Sequence, residues 1–143
     1  MSTEPADRAL AVIDTNIVLD LFVFADAAAQ PLRTGLAAGA LEWIATAAMR
    51  DELARVLGYA QIAPRLAFHG LQAAGVLAAF DAQARIVTPA PKAPVTCSDP
   101  DDQHFIDLAV AHGARLFSKD RAVLCMRRRL LALGVLAMPA PGG

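Results

Sequence analysis

The stretch that decides the fold reads Val12-Ile13-Asp14-Thr15-Asn16, an apolar run that stops at three polar residues. Its apolar part ends in β-branched Val12 and Ile13, which is typical of a short buried strand. Helical sequence follows directly, so Asp14 lies where a strand ends and a helix begins. Open α/β sheets bind their ligands at this position. A carboxylate placed there, in otherwise apolar sequence, predicts a chemical role for Asp14.

The length of 143 residues predicts a single domain over 1–143, with a core over about 10–138 and flexible ends at 1–8 and 139–143. A composition of 56% hydrophobic and 19% charged residues excludes a disordered chain. No apolar run reaches the roughly 18 to 20 residues that span a bilayer, and the N-terminus lacks a signal-peptide core. Two cysteines, Cys97 and Cys125, are too few for a disulfide framework. We therefore expect a cytoplasmic protein with free thiols and no membrane association.

Strand-like and helix-like stretches alternate along the chain. This alternation predicts a parallel sheet covered on both faces, an α/β fold of the three-layer α/β/α sandwich type. The proline-rich segment 88–94 predicts an extended crossover between the two halves of the fold. The predicted strands are 10–14, 41–46, 85–88, 115–118 and 135–138, and the predicted helices are 16–25, 32–40, 47–58, 63–69, 71–83, 100–112 and 121–133.

Three further acids are predicted to lie near the same edge of the sheet as Asp14. Glu52 follows the second strand and lies at the border of its helix's apolar stripe. Asp102 projects into the middle of the apolar stripe of its helix, whereas Asp107 points away from it and is predicted to be solvated. Asp120 follows the fourth strand and opens the next helix. An inward carboxylate costs several kcal/mol unless a partner or a cation compensates it.

Each acid also has a purely structural interpretation, which the sequence leaves open. Glu52 suits the positive first turn of its helix, and Asp120 suits an N-cap. Together, however, like charges at one edge repel, and a bound divalent cation is the usual resolution. Because no cluster of histidines and cysteines accompanies the acids, the expected cation is Mg²⁺ or Mn²⁺ rather than zinc. His104 is the histidine nearest to these acids, and we predict that it is a peripheral polar residue.

The net charge of −1 shows that the whole molecule is not a polycation. Binding of nucleic acid therefore requires a local basic patch. The candidate patch consists of Arg127, Arg128 and Arg129, called here the arginine triplet, with Lys119 upstream. These side chains are candidates for phosphate contacts. The alternative interpretation of the triplet is the solvated face of an amphipathic helix.

The stretches quoted above resemble the PIN domain. The resemblance covers about residues 10–138 and is carried by Val12 to Asn16, Glu52, Asp102 within DDQHFIDLA, and the closing Ser118-Lys119-Asp120. It implies a metal-dependent ribonuclease that uses Mg²⁺ or Mn²⁺. By motif, the implied catalytic and metal-binding residues are Asp14, Glu52, Asp102 and Asp120, the implied supporting residues are Asn16 and Ser118, and the candidate substrate-binding residues are Lys119, Arg127 and Arg128.

The resemblance also implies partners. Many similar chains are toxins of bacterial toxin–antitoxin modules, so the implied partners are an RNA substrate, a small antitoxin and a second copy in a homodimer. The apolar helical segment 59–83 is a candidate surface for the antitoxin or the second copy.

Two other functions compete with the ribonuclease. The first is a catalytically silent PIN-like module that keeps the fold and binds a protein partner, and the intact acidic quartet argues against it. The second is a phosphoaspartyl enzyme of the haloacid-dehalogenase kind, with Asp14 as nucleophile. That chemistry needs a second aspartate two positions later as general acid, and this chain has Asn16 there.

Overall fold

The structure is a computed structural model that describes residues 9–141, and a five-stranded sheet forms its centre. All neighbouring strands are parallel, in the order β3-β2-β1-β4-β5. The predicted N-terminal flexible segment and the last two residues lie outside the described part of the chain. The strands are β1 (Ala9–Ile13), β2 (Leu41–Ala45), β3 (Ala84–Ile86), β4 (Arg115–Phe117) and β5 (Ala137–Met138).

Helices connect the strands and cover the sheet, which confirms the predicted α/β/α class. Within the described residues there are eight α-helices, and α6 packs on β1 and β4 while α2 packs on β2. None of these described helices is long and apolar enough to span a membrane. The helices are α1 (Thr15–Phe22), α2 (Gln30–Ala37), α3 (Ala47–Leu57), α4 (Ala63–Phe68), α5 (Ala73–Gln83), α6 (Gln103–His112), α7 (Arg121–Leu124) and α8 (Arg127–Ala132).

Two predicted helices differ from the observed ones. The predicted helix 100–112 begins as a 3₁₀ turn over Pro100–Asp102 and becomes α-helical only at Gln103. The predicted helix 121–133 is two short helices, because the backbone turns at Cys125 and Met126 while the Met126 side chain stays buried. Hydrophobic periodicity reports which face is buried, and it continues across such a turn.

The core lies between the sheet and its helices and is centred on the strands. Trp43 of β2 is buried, stacks on Phe22 with a centroid distance of 6.0 Å, and meets the edge of Phe80 at 5.0 Å. Such aromatic pairs stabilise a core beyond the area they bury. They fix α1 and α5 against β2, and so hold in place the elements that surround the candidate site.

The strand register brings two distant polar residues together. In the β1–β4 pair, Ile13 lies opposite Phe117. The next residues are Asp14 and Ser118, so both leave the sheet side by side at its carboxyl edge. The chain adds strands on one side of β1 and later on the other, and ligands bind at such a switch point in open α/β sheets.

Candidate metal centre

Asp14 is buried, and contacts from two elements hold its carboxylate. Its backbone N–H donates to the Phe117 carbonyl at 2.9 Å, which continues the β1–β4 ladder by one residue. Its Oδ1 caps α1 by accepting the backbone N–H of Asn16 at 3.3 Å, and its Oδ2 accepts the Ser118 hydroxyl at 2.7 Å. The Asn16 side chain itself is exposed. The carboxylate of Asp14 is therefore fixed at the junction of β1, α1 and β4.

Ser118 connects Asp14 to a second acid. Its buried Oγ donates to Asp14 and accepts the backbone N–H of Asp120 at 3.1 Å. Asp120 also caps α7, because its Oδ1 accepts the Ala122 N–H at 2.9 Å. The capping role of Asp120 and a role in a site do not exclude each other, since one carboxylate has two oxygens and several lone pairs.

Asp102 completes a cluster of three carboxylates, called here the acidic triad. It ends the 3₁₀ turn before α6, and its side chain points inward, with only 7% of the residue exposed. Asp14, Asp102 and Asp120 each offer an oxygen, and these oxygens lie within 4.8 Å of one another. Oδ2 of Asp102 is buried and has no hydrogen-bond partner among residues 9–141. A native structure rarely leaves a buried carboxylate oxygen unpaired.

The acidic triad is electrostatically strained without a cation. Burial, and then repulsion from Asp14 and Asp120, raise the pKa of Asp102 to about 8. Burial also raises the pKa of Asp14, although hydrogen bonds from Ser118 and Asn16 oppose this. Near neutral pH the triad therefore favours taking up either a proton or a positive ion.

The donor set fits a hard divalent cation. All three ligating groups are carboxylates, and neither histidine nor cysteine belongs to the triad. Mg²⁺ and Mn²⁺ prefer such oxygen ligands, and Mg²⁺ is commonly held by few carboxylates with water at the remaining positions. The unpartnered Oδ2 of Asp102 supplies a ligand atom that no residue of the described chain uses.

Glu52 lies next to the acidic triad but outside it. Its Oε2 accepts the Thr15 hydroxyl at 2.5 Å, and its Oε1 lies 3.3 Å from Nε2 of His104. Burial alone would raise the pKa of Glu52, but the contacts with His104 and Thr15 outweigh burial and the pKa is lowered. Glu52 is therefore held ionised by two partners. The structure places His104 against Glu52 and outside the acidic triad.

A cleft of about 400 Å³ opens beside Glu52, between α3 and the start of α6. Its lining contains Arg55 and His104 together with three acids, Asp51, Glu52 and Asp101. Arg55 also lowers the pKa of Glu52 through its charge. The cleft is an open groove that can admit a polar, extended ligand.

Lys119 has a partner of its own. Its ammonium lies 2.6 Å from Oδ2 of Asp20, whose side chain is only 8% exposed, while the lysine side chain is 48% exposed. The ion pair joins the segment after β4 to α1. Part of the charge of Lys119 is therefore used to compensate a buried acid within the fold.

The arginine triplet lies at the start of α8 and is exposed. None of its three side chains makes a hydrogen bond or ion pair within the described part of the chain. Residues 113–143 contain six of the thirteen basic residues and one of the fourteen acidic ones. The C-terminal part of this nearly neutral chain is therefore locally basic.

The prediction of a solvated Asp107 is wrong. Its Oδ1 accepts the backbone N–H of Ala93 and the side-chain amide of Gln103, each at 2.8 Å. The same Gln103 accepts the backbone N–H of Cys97 at 2.7 Å. Helix α6 thus holds the proline-rich crossover segment through polar contacts, which periodicity alone does not reveal.

Sequence reasoning gave no role to Thr15, Asp20 or His104. A signal existed for Asp20, because it is the one polar residue in the stretch 17–22 of α1. Thr15 lies within the opening motif, between two residues that received roles. The contact of His104 with Glu52 joins helices about fifty residues apart, and no local pattern predicts it.

Comparison with known proteins agrees with this geometry. A family model described as PIN domain matches residues 10–121. A comparison with the curated proteins finds no match. PIN domains are generally metal-dependent nucleases, and the acidic triad fits that property. Because the match covers most of the chain and includes every member of the triad, this protein belongs to the PIN domain family.

Proposed function

We propose that this PIN domain is an endoribonuclease that hydrolyses RNA phosphodiester bonds with Mg²⁺ or Mn²⁺ held by the acidic triad. The observation that supports it most is the convergence of three carboxylate oxygens within 4.8 Å, with Oδ2 of Asp102 left unpartnered. A surface formed only for protein binding does not need this arrangement, because two buried acids and a half-buried one destabilise the fold when no cation compensates them.

Each residue of the site has a distinct role in this mechanism. The cation, when bound, acidifies a water and stabilises the negative charge that develops on the phosphate. Ser118 donates a hydrogen bond to Oδ2 of Asp14 and so fixes the orientation of the carboxylate that would bind the cation. Glu52, kept ionised by Thr15 and His104, positions the attacking water by accepting its hydrogen bond.

Arginine side chains in two places are candidates for contacts with the RNA phosphates, although Asp51, Glu52 and Asp101 also line the cleft. The cleft beside Glu52 offers Arg55, and α8 offers the arginine triplet. Lys119 contributes less, because its ammonium is paired with Asp20. Phosphate contacts of this kind position the strand without reading its sequence. The proposed path of the RNA therefore runs from the cleft across the acidic triad towards α8.

The test combines metal binding with cleavage. Mn²⁺ is titrated calorimetrically into the wild type, Asp14→Asn and the matched control Asp81→Asn, whose acid forms a surface ion pair with Arg50. The same proteins are then incubated with single-stranded RNA in Mg²⁺ or Mn²⁺. We expect binding and cleavage by the wild type and the control, and loss of both in Asp14→Asn. Cleavage retained by Asp14→Asn would refute the mechanism, and failure of the wild type to bind Mn²⁺ would favour the silent interaction module.

The cellular role and the partners of the protein are part of the same proposal. We infer a cytoplasmic toxin that forms a homodimer and is neutralised by a small antitoxin. Two exposed apolar residues in the segment 59–83 support a partner surface there, Tyr59 at 40% and Phe68 at 85% exposure. Growth arrest on expression of the wild type, but not of Asp14→Asn, would support the toxin. Light scattering of a purified Phe68→Asp variant would test whether this surface forms the dimer, since a dimer that persists would exclude it.

A further inference from the structure

Two cysteine sulfurs converge on one backbone atom beside the acidic triad. The thiol of Cys97 donates to the Ala122 carbonyl at 3.5 Å, and the thiol of Cys125 donates to the same oxygen at 3.4 Å. The two sulfurs are therefore at most about 7 Å apart. We propose that Cys97 and Cys125 form a reversible disulfide under peroxide, and that this bond displaces Asp120 and weakens the metal site.

The positions of the two cysteines make the bond relevant to the site. Cys97 is buried and lies five residues before Asp102, on the segment that α6 holds through Gln103. Cys125 is exposed at the end of α7 and lies five residues after Asp120. A disulfide would join the two segments that carry two members of the acidic triad. The further inference rests on the proposed metal site for its effect, but not for the bond itself.

The chemistry is balanced with hydrogen peroxide as the oxidant. The exposed Cys125 thiolate attacks one peroxide oxygen, the O–O bond breaks, and Cys125 sulfenic acid and hydroxide form, the latter taking up a proton to give water. The Cys97 sulfur then attacks the sulfenic sulfur, and the S–O bond breaks with release of a second water. Burial raises the pKa of the Cys97 thiol, which lowers the fraction of thiolate available for this second step. A thiol reductant reverses the bond.

Forming the bond removes both S–H donors from the Ala122 carbonyl, and we infer that it draws α7 towards Cys97. A disulfide brings its sulfurs to about 2 Å, so the separation across the Ala122 carbonyl must close. The same residue, Ala122, donates its N–H to Oδ1 of Asp120 at 2.9 Å. Displacing the Ala122 peptide therefore moves the cap of α7 and draws the Asp120 carboxylate away from Asp14 and Asp102.

Linkage makes the effect reciprocal. If oxidation lowers the affinity for the cation, the bound cation must oppose oxidation by the same factor. We expect about a tenfold loss of Mn²⁺ affinity on oxidation, which lies within the range typical of coupled sites. Saturating Mn²⁺ should therefore shift the thiol–disulfide equilibrium towards the reduced dithiol. Cytoplasmic disulfides of this kind are transient and serve redox sensing.

The experiment separates the bond from its effect. The full chain is treated with hydrogen peroxide, quenched with an alkylating reagent and analysed by intact mass and peptide mapping, before and after reduction. Mn²⁺ affinity is measured on the reduced, oxidised and re-reduced protein. The control is Cys125→Ser, which keeps a hydroxyl donor to Ala122 and cannot form the bond, and Cys97→Ser serves as a second control if the first folds poorly.

A monomer lighter by two hydrogen atoms, with a mapped Cys97–Cys125 link and weakened Mn²⁺ binding that reduction restores, would support the proposal. A chain that yields only intermolecular disulfides or sulfinic acid would overturn it, as would a mapped internal bond that leaves Mn²⁺ affinity unchanged. If the reduced wild type does not bind Mn²⁺, the proposed function fails and so does the coupling, while the mass readout still reports whether the bond forms.

Discussion

We predict that replacing one carboxyl group of the acidic triad by an amide stabilises the metal-free protein. Asp102→Asn keeps the side-chain shape, replaces the unpartnered oxygen or its neighbour by an amide donor, and removes the repulsion from Asp14 and Asp120. In the wild type at pH 7, the folded chain holds a proton on Asp102 that the unfolded chain has released, because the pKa rises from 3.8 to about 8. Asp102→Asn carries a neutral amide at this position, so its folding does not require the uptake of a proton.

The size of the effect follows from linkage. Each pKa unit corresponds to roughly 1.4 kcal/mol, so holding the proton at pH 7 costs at most about 4 kcal/mol. Water and counter-ions at the open side of the triad reduce this value, and we expect a gain of about 2–3 kcal/mol for Asp102→Asn. For a chain of this size, that gain raises the Tm by about 5–10 °C.

Metal should reverse the order of stability. Mn²⁺ at about 1,000 times its Kd stabilises a binding-competent protein by roughly 4.1 kcal/mol, which exceeds the gain of about 2–3 kcal/mol expected for Asp102→Asn. The wild type gains this stabilisation, whereas Asp102→Asn has lost a ligand and gains little. The assay is thermal unfolding of both proteins at pH 7, in chelator and in excess Mn²⁺.

Asp101→Asn provides the matched control. Asp101 is exposed and differs from Asp102 by one position, so the variant makes the same replacement of a carboxyl group by an amide outside the triad. Its Tm should stay close to that of the wild type in both conditions. If the Tm of Asp102→Asn in chelator is equal to or lower than that of Asp101→Asn, repulsion within the triad does not destabilise the fold and the reasoning is wrong.

Four further measurements test other parts of the structure. The Tm of the metal-free wild type should decrease as the pH rises from about 5 to about 8. The folded chain holds a proton on Asp102, whose pKa is raised, and the unfolded chain does not, so a rising pH disfavours folding. A flat profile would contradict this. Lys119→Met should cost about 1–3 kcal/mol by leaving Asp20 buried and unpaired, and adding Asp20→Asn should recover most of it in a double-mutant cycle. Gly113→Ala should cost about 1 kcal/mol in urea unfolding, because Gly113 ends α6 at φ 62° with open space around it, and no loss would mean that this turn relaxes easily. Replacing the arginine triplet with alanine in the Asp14→Asn protein, measured without metal, should weaken RNA binding about equally for all RNA sequences. The dependence of the binding constant on salt concentration should have a slope lower by about one per arginine. An unchanged slope would exclude α8 from the path of the RNA.

The amino-acid sequence by itself determined the class of fold and the inward direction of the key acid. Alternation of strands and helices implies a parallel sheet, and the helical period of 3.6 residues places Asp102 on the face of Phe105 and Ile106, which are buried. The end of a strand and the cap of a helix depend on residues that are close in the sequence. The sequence therefore also placed Asp14 and Asp120 at the starts of their helices. These are local properties, and local patterns carry them.

The tertiary structure alone decided which of these acids meet. The order of the strands puts β1 beside β4, and only then do Asp14 and Ser118 become neighbours. The pairing of Glu52 with His104 likewise joins two helices that are distant in the chain. Such contacts depend on register and packing between remote segments, where many arrangements share the same local pattern. The sequence therefore indicated four acids at one edge, and the fold separated them into a triad and a neighbouring glutamate with partners of its own.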